Sequence, residues 1–284
     1  MKIILDTDFG DDIDDTFALY YLLKIASTDI ALVLSSFGQT AKRAELICDF
    51  LKKCNRTDIN VGIGQENLAY RDPYMYKLFN NIGSDNYPRL YRNGLEKAKK
   101  LIEENEDVII IAIGPPTNLA SLTNICEKAK TVPVFSMLGS IYKGYNNADT
   151  VSKEWNAIAD VPATKKFLSE YKYITLTPLD TCGIVRFESS VYTDVLNSNT
   201  PLGEYFEKWL KLDFHKNRNK SVIFDAAAIY MALDGNLMKY KTLPLICDNQ
   251  GYLKVNAQGN KIKCALTWKN LNTYLNFLEK IITN

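Results

Sequence analysis

The 284-residue chain contains a single histidine, His215, which leaves little room for a histidine-based zinc site or for paired histidine catalysis. It has no excess of charge of either sign. Its 34 Lys+Arg stand against 33 Asp+Glu, for a formal net charge of +1, so no global field draws in nucleic acid or an anionic membrane. No apolar run approaches the roughly 18 residues of a membrane span. The six cysteines, at positions 48, 54, 126, 182, 247 and 264, form no C-x-x-C pair. With no secretion signal in MKIILDTDFGDD, which turns acidic after five residues, they read as reduced, buried thiols of a cytoplasmic protein. Repeats and low-complexity linkers are missing as well. The 46% hydrophobic content is that of a chain able to bury a sizeable core.

What is present is an alternation of two periods. Lys2–Leu5, Ala31–Ser35, Val108–Ile113, Val132–Leu138 and Tyr173–Leu176 are short and rich in Ile, Val and Leu, as buried strands are. Amphipathic stretches separate them: Thr16–Ile25, Ala41–Lys53 (apolar at Ala44, Ile47, Cys48 and Leu51), Leu95–Glu104 and Asn118–Lys128. The alternation predicts an α/β fold with an open, mostly parallel sheet flanked by helices, spanning residues 1–284 as a single domain. Gln65–Asn93 and Tyr142–Ser152 break the rhythm and read as long functional loops. Lys261–Ile282 reads as a last strand and helix serving packing alone.

Four fragments carry chemistry. Six of the ten residues from Asp6 to Asp15 are Asp, between a buried strand and a helix, where ligands of open α/β sheets bind. Capping accounts for one or two of these carboxylates. Six this close repel, so a cation must offset them or some must be protonated. Oxygen donors in such number suit Ca²⁺ or Mg²⁺ better than Zn²⁺, and Gly10 stands fifth from Asp6 rather than sixth, unlike an EF-hand. The second fragment is the strand end Ile113-Gly114-Pro115-Pro116 with Thr117-Asn118 to cap the next helix, a turn whose free carbonyl a cation can use. Glu154-Trp155-Asn156 offers a carboxylate, an aromatic face and an amide to a hydroxylated ring. Asp225 opens an apolar helix, where a charge must cap, pair or bind metal.

In this order and spacing the fragments resemble the inosine-uridine preferring nucleoside hydrolase family, the N-ribohydrolases of nucleosides. Asp6–Asp15 fits the longer D-T-D-x-G-x-D-x-D-D form of its acidic turn. The resemblance implies an open α/β sheet and a Ca²⁺ held by Asp8, Asp15, the Ile113 carbonyl and Asp225. It implies ribose contacts from Asp14, Glu154, Asn156 and Asn147 (or Asn146), support by Asp6, and Asp8 as the base that takes a proton from water. Gln39 stands where the family often has Asn, one methylene longer, and activation of the base falls either to stacking on Trp155, Tyr142 or Tyr145 or to protonation through water. The partner implied is a small nucleoside, in a homo-oligomer, dimer or tetramer, in purine or pyrimidine salvage. Phe224 stands where many members carry the His that protonates the leaving base, and His215, ten residues before Asp225, reads as a surface residue. Two other readings remain. One is a ribose or nucleoside binder without catalysis. The other is a haloacid dehalogenase-type phosphatase, whose first strand also ends in Asp-x-Asp but which needs an acidic pair on a later strand.

Overall fold

The computed structural model describes residues 1–25, 29–67, 70–79, 82, 87–212 and 221–283. Its elements in chain order are β1 (Lys2–Thr7), α1 (Asp14–Lys24), β2 (Asp29–Ser35), α2 (Thr40–Lys53), β3 (Val61–Ile63), β4 (Leu90–Tyr91), α3 (Gly94–Glu104), β5 (Val108–Ala112), α4 (Thr117–Ile125), β6 (Val134–Ser136), α5 (Trp155–Ala159), α6 (Val161–Glu170), β7 (Ile174–Leu176), α7 (Leu179–Cys182), α8 (Ser189–Asn197), α9 (Pro201–Leu210), α10 (Ala226–Leu233), β8 (Met238–Cys247), β9 (Leu253–Val255), β10 (Asn260–Trp268) and α11 (Leu271–Ile282).

All ten of these strands lie in one sheet, in the order β4-β3-β2-β1-β5-β6-β7-β10-β8-β9. The pairings from β4 through to β10 are parallel, and β8 alone runs against its neighbours. β1 and β5 are central and buried along nearly their whole length, because helices cover both faces. One core, built on Phe17, Phe50, Tyr205, Trp209 and Tyr230, fills the face under α1, α2, α9, α10 and α11. A second, with Ile110, Phe167, Leu176 and Cys264, fills the face under α3, α4 and α6. The expected open, mostly parallel sheet is thus present. The five strands read from the sequence are β2, β1, β5, β6 and β7, the centre of the sheet, and the four helical stretches correspond to α1 to α4.

The sequence reading did not reach the two edges. β3 and β4 are too short to show a period, and β8 to β10 form an antiparallel set, with β8 between the other two, whose exposed faces interrupt any apolar run. Lys261–Ile282 does contain a last strand and helix: all of β10 but its first residue, and α11. Within Gln65–Asn93 the only regular pieces among the described residues are a 3₁₀ turn at Tyr76–Leu78 and β4, and Tyr142–Ser152 holds a 3₁₀ turn at Tyr145–Asn147. The six cysteines are free. Among the described residues no helix is long and apolar enough to cross a membrane.

The chain leaves β1 toward β2, β3 and β4 on one side, then crosses to β5 on the other. The carboxyl ends of β1 and β5 therefore diverge into a crevice, the general ligand position of an open α/β sheet. Asp6 pairs with Ala112 across that point, so the acidic turn and the Gly-Pro turn meet there.

Candidate active site

The acidic turn starts from a buried strand end and closes into α1. Gly10 makes the reversal with φ of 110°, a region that other residues rarely adopt, and a Cβ there would come within 2.5 Å of Leu46. Asp14 and Asp15 occupy the first turn of α1, where the helix dipole favours carboxylates. Thr7 donates its hydroxyl to Asp15 Oδ1. Asn118, at the start of α4, donates Nδ2 to Asp6 Oδ2 at 2.7 Å and to the Ser35 carbonyl at 3.0 Å. Asp6 is thereby fixed behind the turn.

Asp14, Asp15 and Asp225 are buried, and each contributes an oxygen to a group whose atoms lie within 4.8 Å of one another. Asp8 is also buried and shares one cavity of about 380 Å³ with them. The tightest trio thus contains Asp14, with Asp8 beside it. Burial, reinforced by mutual repulsion, raises Asp14, Asp15 and Asp225 well above the ordinary carboxylate range. Burial also pushes Asp8 up to about 6, against the pull of the Arg43 guanidinium and a hydrogen bond from Trp155. Four carboxylates facing one another out of water, with hard oxygen donors only, are a set that fits a divalent cation of the Ca²⁺ or Mg²⁺ kind.

The opposite wall comes from β5, β6 and α5. Ile113 lines the cavity, and its carbonyl accepts from Asn156 Nδ2 at 2.9 Å. Gly114 follows because nothing larger fits: a Cβ would stand 2.8 Å from the Asp8 amide nitrogen and 3.0 Å from Asp8 Oδ1. Gly114→Ala is expected to displace Asp8 and lower turnover about 10²-fold, the cost of an ångström-scale misplacement, with a much smaller loss in melting temperature. Steady-state kinetics and a thermal melt on the same preparation check it. Glu154 caps α5. Its carboxylate accepts from the amides of Asn156 (2.7 Å), Gly139 (2.8 Å) and Ala157 (3.1 Å), and burial nonetheless raises it to about 7.

The rest of the lining is Asp11 and Asp12 of the turn, the rings of Trp155, Tyr145, Phe224 and Tyr74, the Met137 side chain, and one cation, Arg71. Tyr145 meets Phe224 edge-on at 6.0 Å and its hydroxyl accepts from the Trp155 amide at 2.9 Å. Of the residues read from the sequence, Asp8, Asp14, Asp15, Ile113, Glu154, Trp155, Asn156 and Asp225 line the cavity together. Asn147 sits exposed on its 3₁₀ turn and Tyr142 is 48% exposed; neither belongs to the lining. Gln39, at the start of α2, gives Nε2 to the Tyr70 carbonyl at 2.9 Å and also stands outside it. His215 falls outside the described residues.

Three residues that the sequence reading passed over are structurally central. Arg43 is 2% exposed and reaches from α2 beneath the acidic turn, donating to the carbonyls of Asp8, Phe9 and Phe37 and to Asp11 Oδ2. It is a cation that offsets the carboxylate crowding. Its signal was in the sequence, since Arg43 precedes Ile47 by four and Leu51 by eight, on the apolar stripe of α2. Arg71 and Tyr74 come from the long loop after β3. That loop docks on the turn through Met75 N to Gly10 O (2.9 Å) and Tyr74 N to Asp11 Oδ1 (2.9 Å).

The model of the family described as inosine-uridine preferring nucleoside hydrolase matches residues 3–272. The chain belongs to that family, and it is a glycosidase acting on N-glycosyl compounds. Similar solved structures include a plant nucleoside hydrolase (TM-score 0.83, 19% identity, 99% of this chain and 98% of that one). A purine-preferring ribonucleoside hydrolase from Gardnerella vaginalis gives 0.81 at 16% identity, over 100% and 98%. An inosine-uridine preferring nucleoside hydrolase from Bacillus anthracis gives 0.78 at 14%, over 99% of both chains. At such identities these neighbours establish the shared fold. No curated protein matches.

Proposed function

We propose that the chain hydrolyses the N-glycosidic bond of ribonucleosides in a Ca²⁺-dependent reaction, giving free base and ribose. The observation that carries this reading is the convergence of Asp8, Asp14, Asp15 and Asp225 at the carboxyl ends of β1 and β5, in a cavity of nucleoside size. Asp8, Asp15, Asp225 and the Ile113 carbonyl would hold the metal, and Asp14 would hold ribose. The ion supplies a Lewis acid that orients sugar hydroxyls and makes a neighbouring water easier to deprotonate.

The chain's own groups supply the rest. Asp8 takes the proton of the attacking water. Breaking the ribosyl C–N bond develops oxocarbenium character, which the surrounding buried carboxylates stabilise. Glu154 and Asn156 are held rigid by backbone contacts, so their remaining acceptor positions present a fixed pattern to the sugar hydroxyls. Trp155, Tyr145 and Phe224 provide flat apolar area for the base.

The test is a panel of inosine, uridine, cytidine, adenosine and guanosine with Ca²⁺, read as reducing ribose. Release from at least one member, abolished by a chelator and restored by Ca²⁺, is the expected result. Saturable nucleoside binding with no ribose released would favour a binding role and overturn the proposal. Release that survives the chelator would remove the metal from it.

A further inference from the structure

Departure of a base leaves an electron pair on its nitrogen, and Phe224 offers no proton to it. Among the described residues lining the cavity, Arg71 is the sole cation. Its position is built. The guanidinium lies 3.2 Å over the Tyr74 ring, and Nη1 donates to Asp11 Oδ1 at 2.8 Å and to the Asp72 carbonyl at 2.9 Å. Both contacts use Nη1, so Nε and Nη2 have no partner among the described residues. Asp11 itself is anchored from behind by Arg43. The chain thus spends a buried arginine, a carboxylate and an aromatic ring on holding one guanidinium in the wall of the cavity, with donors to spare.

Resting on the proposed hydrolysis, we infer that Arg71 is the residue that stabilises the departing base. It donates to the ring nitrogen and exocyclic oxygen over which the released electron pair spreads. In the balanced step the C1′–N bond breaks with its pair on the base, the water oxygen bonds C1′, and one water proton goes to Asp8. The anionic base, paired with Arg71, then takes a proton from solvent. A guanidinium donates only, so it suits the O6 and N7 acceptors of a 6-oxopurine and meets an amino group unfavourably. Arg71 therefore sets a preference for oxo over amino bases as well as the rate.

The experiment compares wild type, Arg71→Ala and Arg71→Lys on inosine, adenosine and p-nitrophenyl riboside. The last releases p-nitrophenolate, which carries its own charge without help. In Arg71→Ala, kcat/KM for inosine is expected to fall about 10²-fold, as for loss of one donor to a developing anion, and that for p-nitrophenyl riboside less than about threefold. The preference for inosine over adenosine should shrink with it, and Arg71→Lys should recover part of the inosine rate. Equal losses on inosine and p-nitrophenyl riboside would mean that Arg71 acts through Asp11 and the turn, and would overturn the inference. So would an unchanged inosine rate. A wild type that cleaves neither these three nor uridine, cytidine or guanosine would remove the proposed hydrolysis, and the inference with it; one that cleaves only those other nucleosides would overturn the inference alone.

Discussion

Asp8→Ala is expected to lower ribose release by about 10³-fold or more, since general bases contribute about 10²–10⁴-fold and the proposed role of Asp8 joins that of base to that of metal ligand. The same variant should bind Ca²⁺ more weakly by titration calorimetry, because one of four facing carboxylates is gone. Asp8→Asn keeps the shape and the Trp155 neighbour but cannot accept a proton, so it should lose turnover to a similar extent with a smaller loss of affinity. Wild-type rates in either variant would sink the assignment of Asp8.

Arg43→Ala is expected to act on stability. Removing the guanidinium leaves Asp11 without its buried partner and the carbonyls of Asp8, Phe9 and Phe37 without a donor. Breaking a buried pair on one side costs about 3–5 kcal/mol, which for a chain of this size lowers Tm by roughly 10 °C. Arg43→Lys should recover little, because one ammonium cannot reproduce a fork spread over two loops. The acid limb gives a second readout. Burial pushes Asp11 up, but Arg43 and Arg71 more than offset it and hold the carboxyl below its ordinary value of 3.8. The stabilisation is present above that value and is lost as pH falls through the lower folded-state pKa. In Arg43→Ala this acid-sensitive increment should shrink. A melting temperature within a degree or two of wild type would show that the acidic turn holds itself together without Arg43.

The legible part of the site was the part written contiguously. Asp6 to Asp15, Ile113 to Asn118 and Glu154 to Asn156 are each a strand end, or a helix start, with the polar residues that such a place exposes. The less legible part was assembled from distance. Arg71 and Tyr74 belong to a loop with no period, and nothing near them in sequence shows that Met75 and Tyr74 bond to Gly10 and Asp11 across some 60 residues. Asn147 and Gln39 show the converse. Each has a residue type suited to sugar hydroxyls, yet a 3₁₀ turn carries one into solvent and the Tyr70 carbonyl occupies the amide of the other.

By itself the sequence determined the parallel centre of the sheet, because strands buried on both faces must be nearly all apolar and the helices between them must be striped. It also determined that a crowd of carboxylates would gather where β1 ends. Only the tertiary structure decided how that crowd is tolerated and what faces it. The crossover from β4 to β5 opens the crevice, Arg43 partly offsets the charge of the turn from below, and a loop with no periodicity docks on the turn and brings a guanidinium into the cavity lining. Those contacts join residues tens of positions apart, and their energy depends on burial that no local pattern encodes.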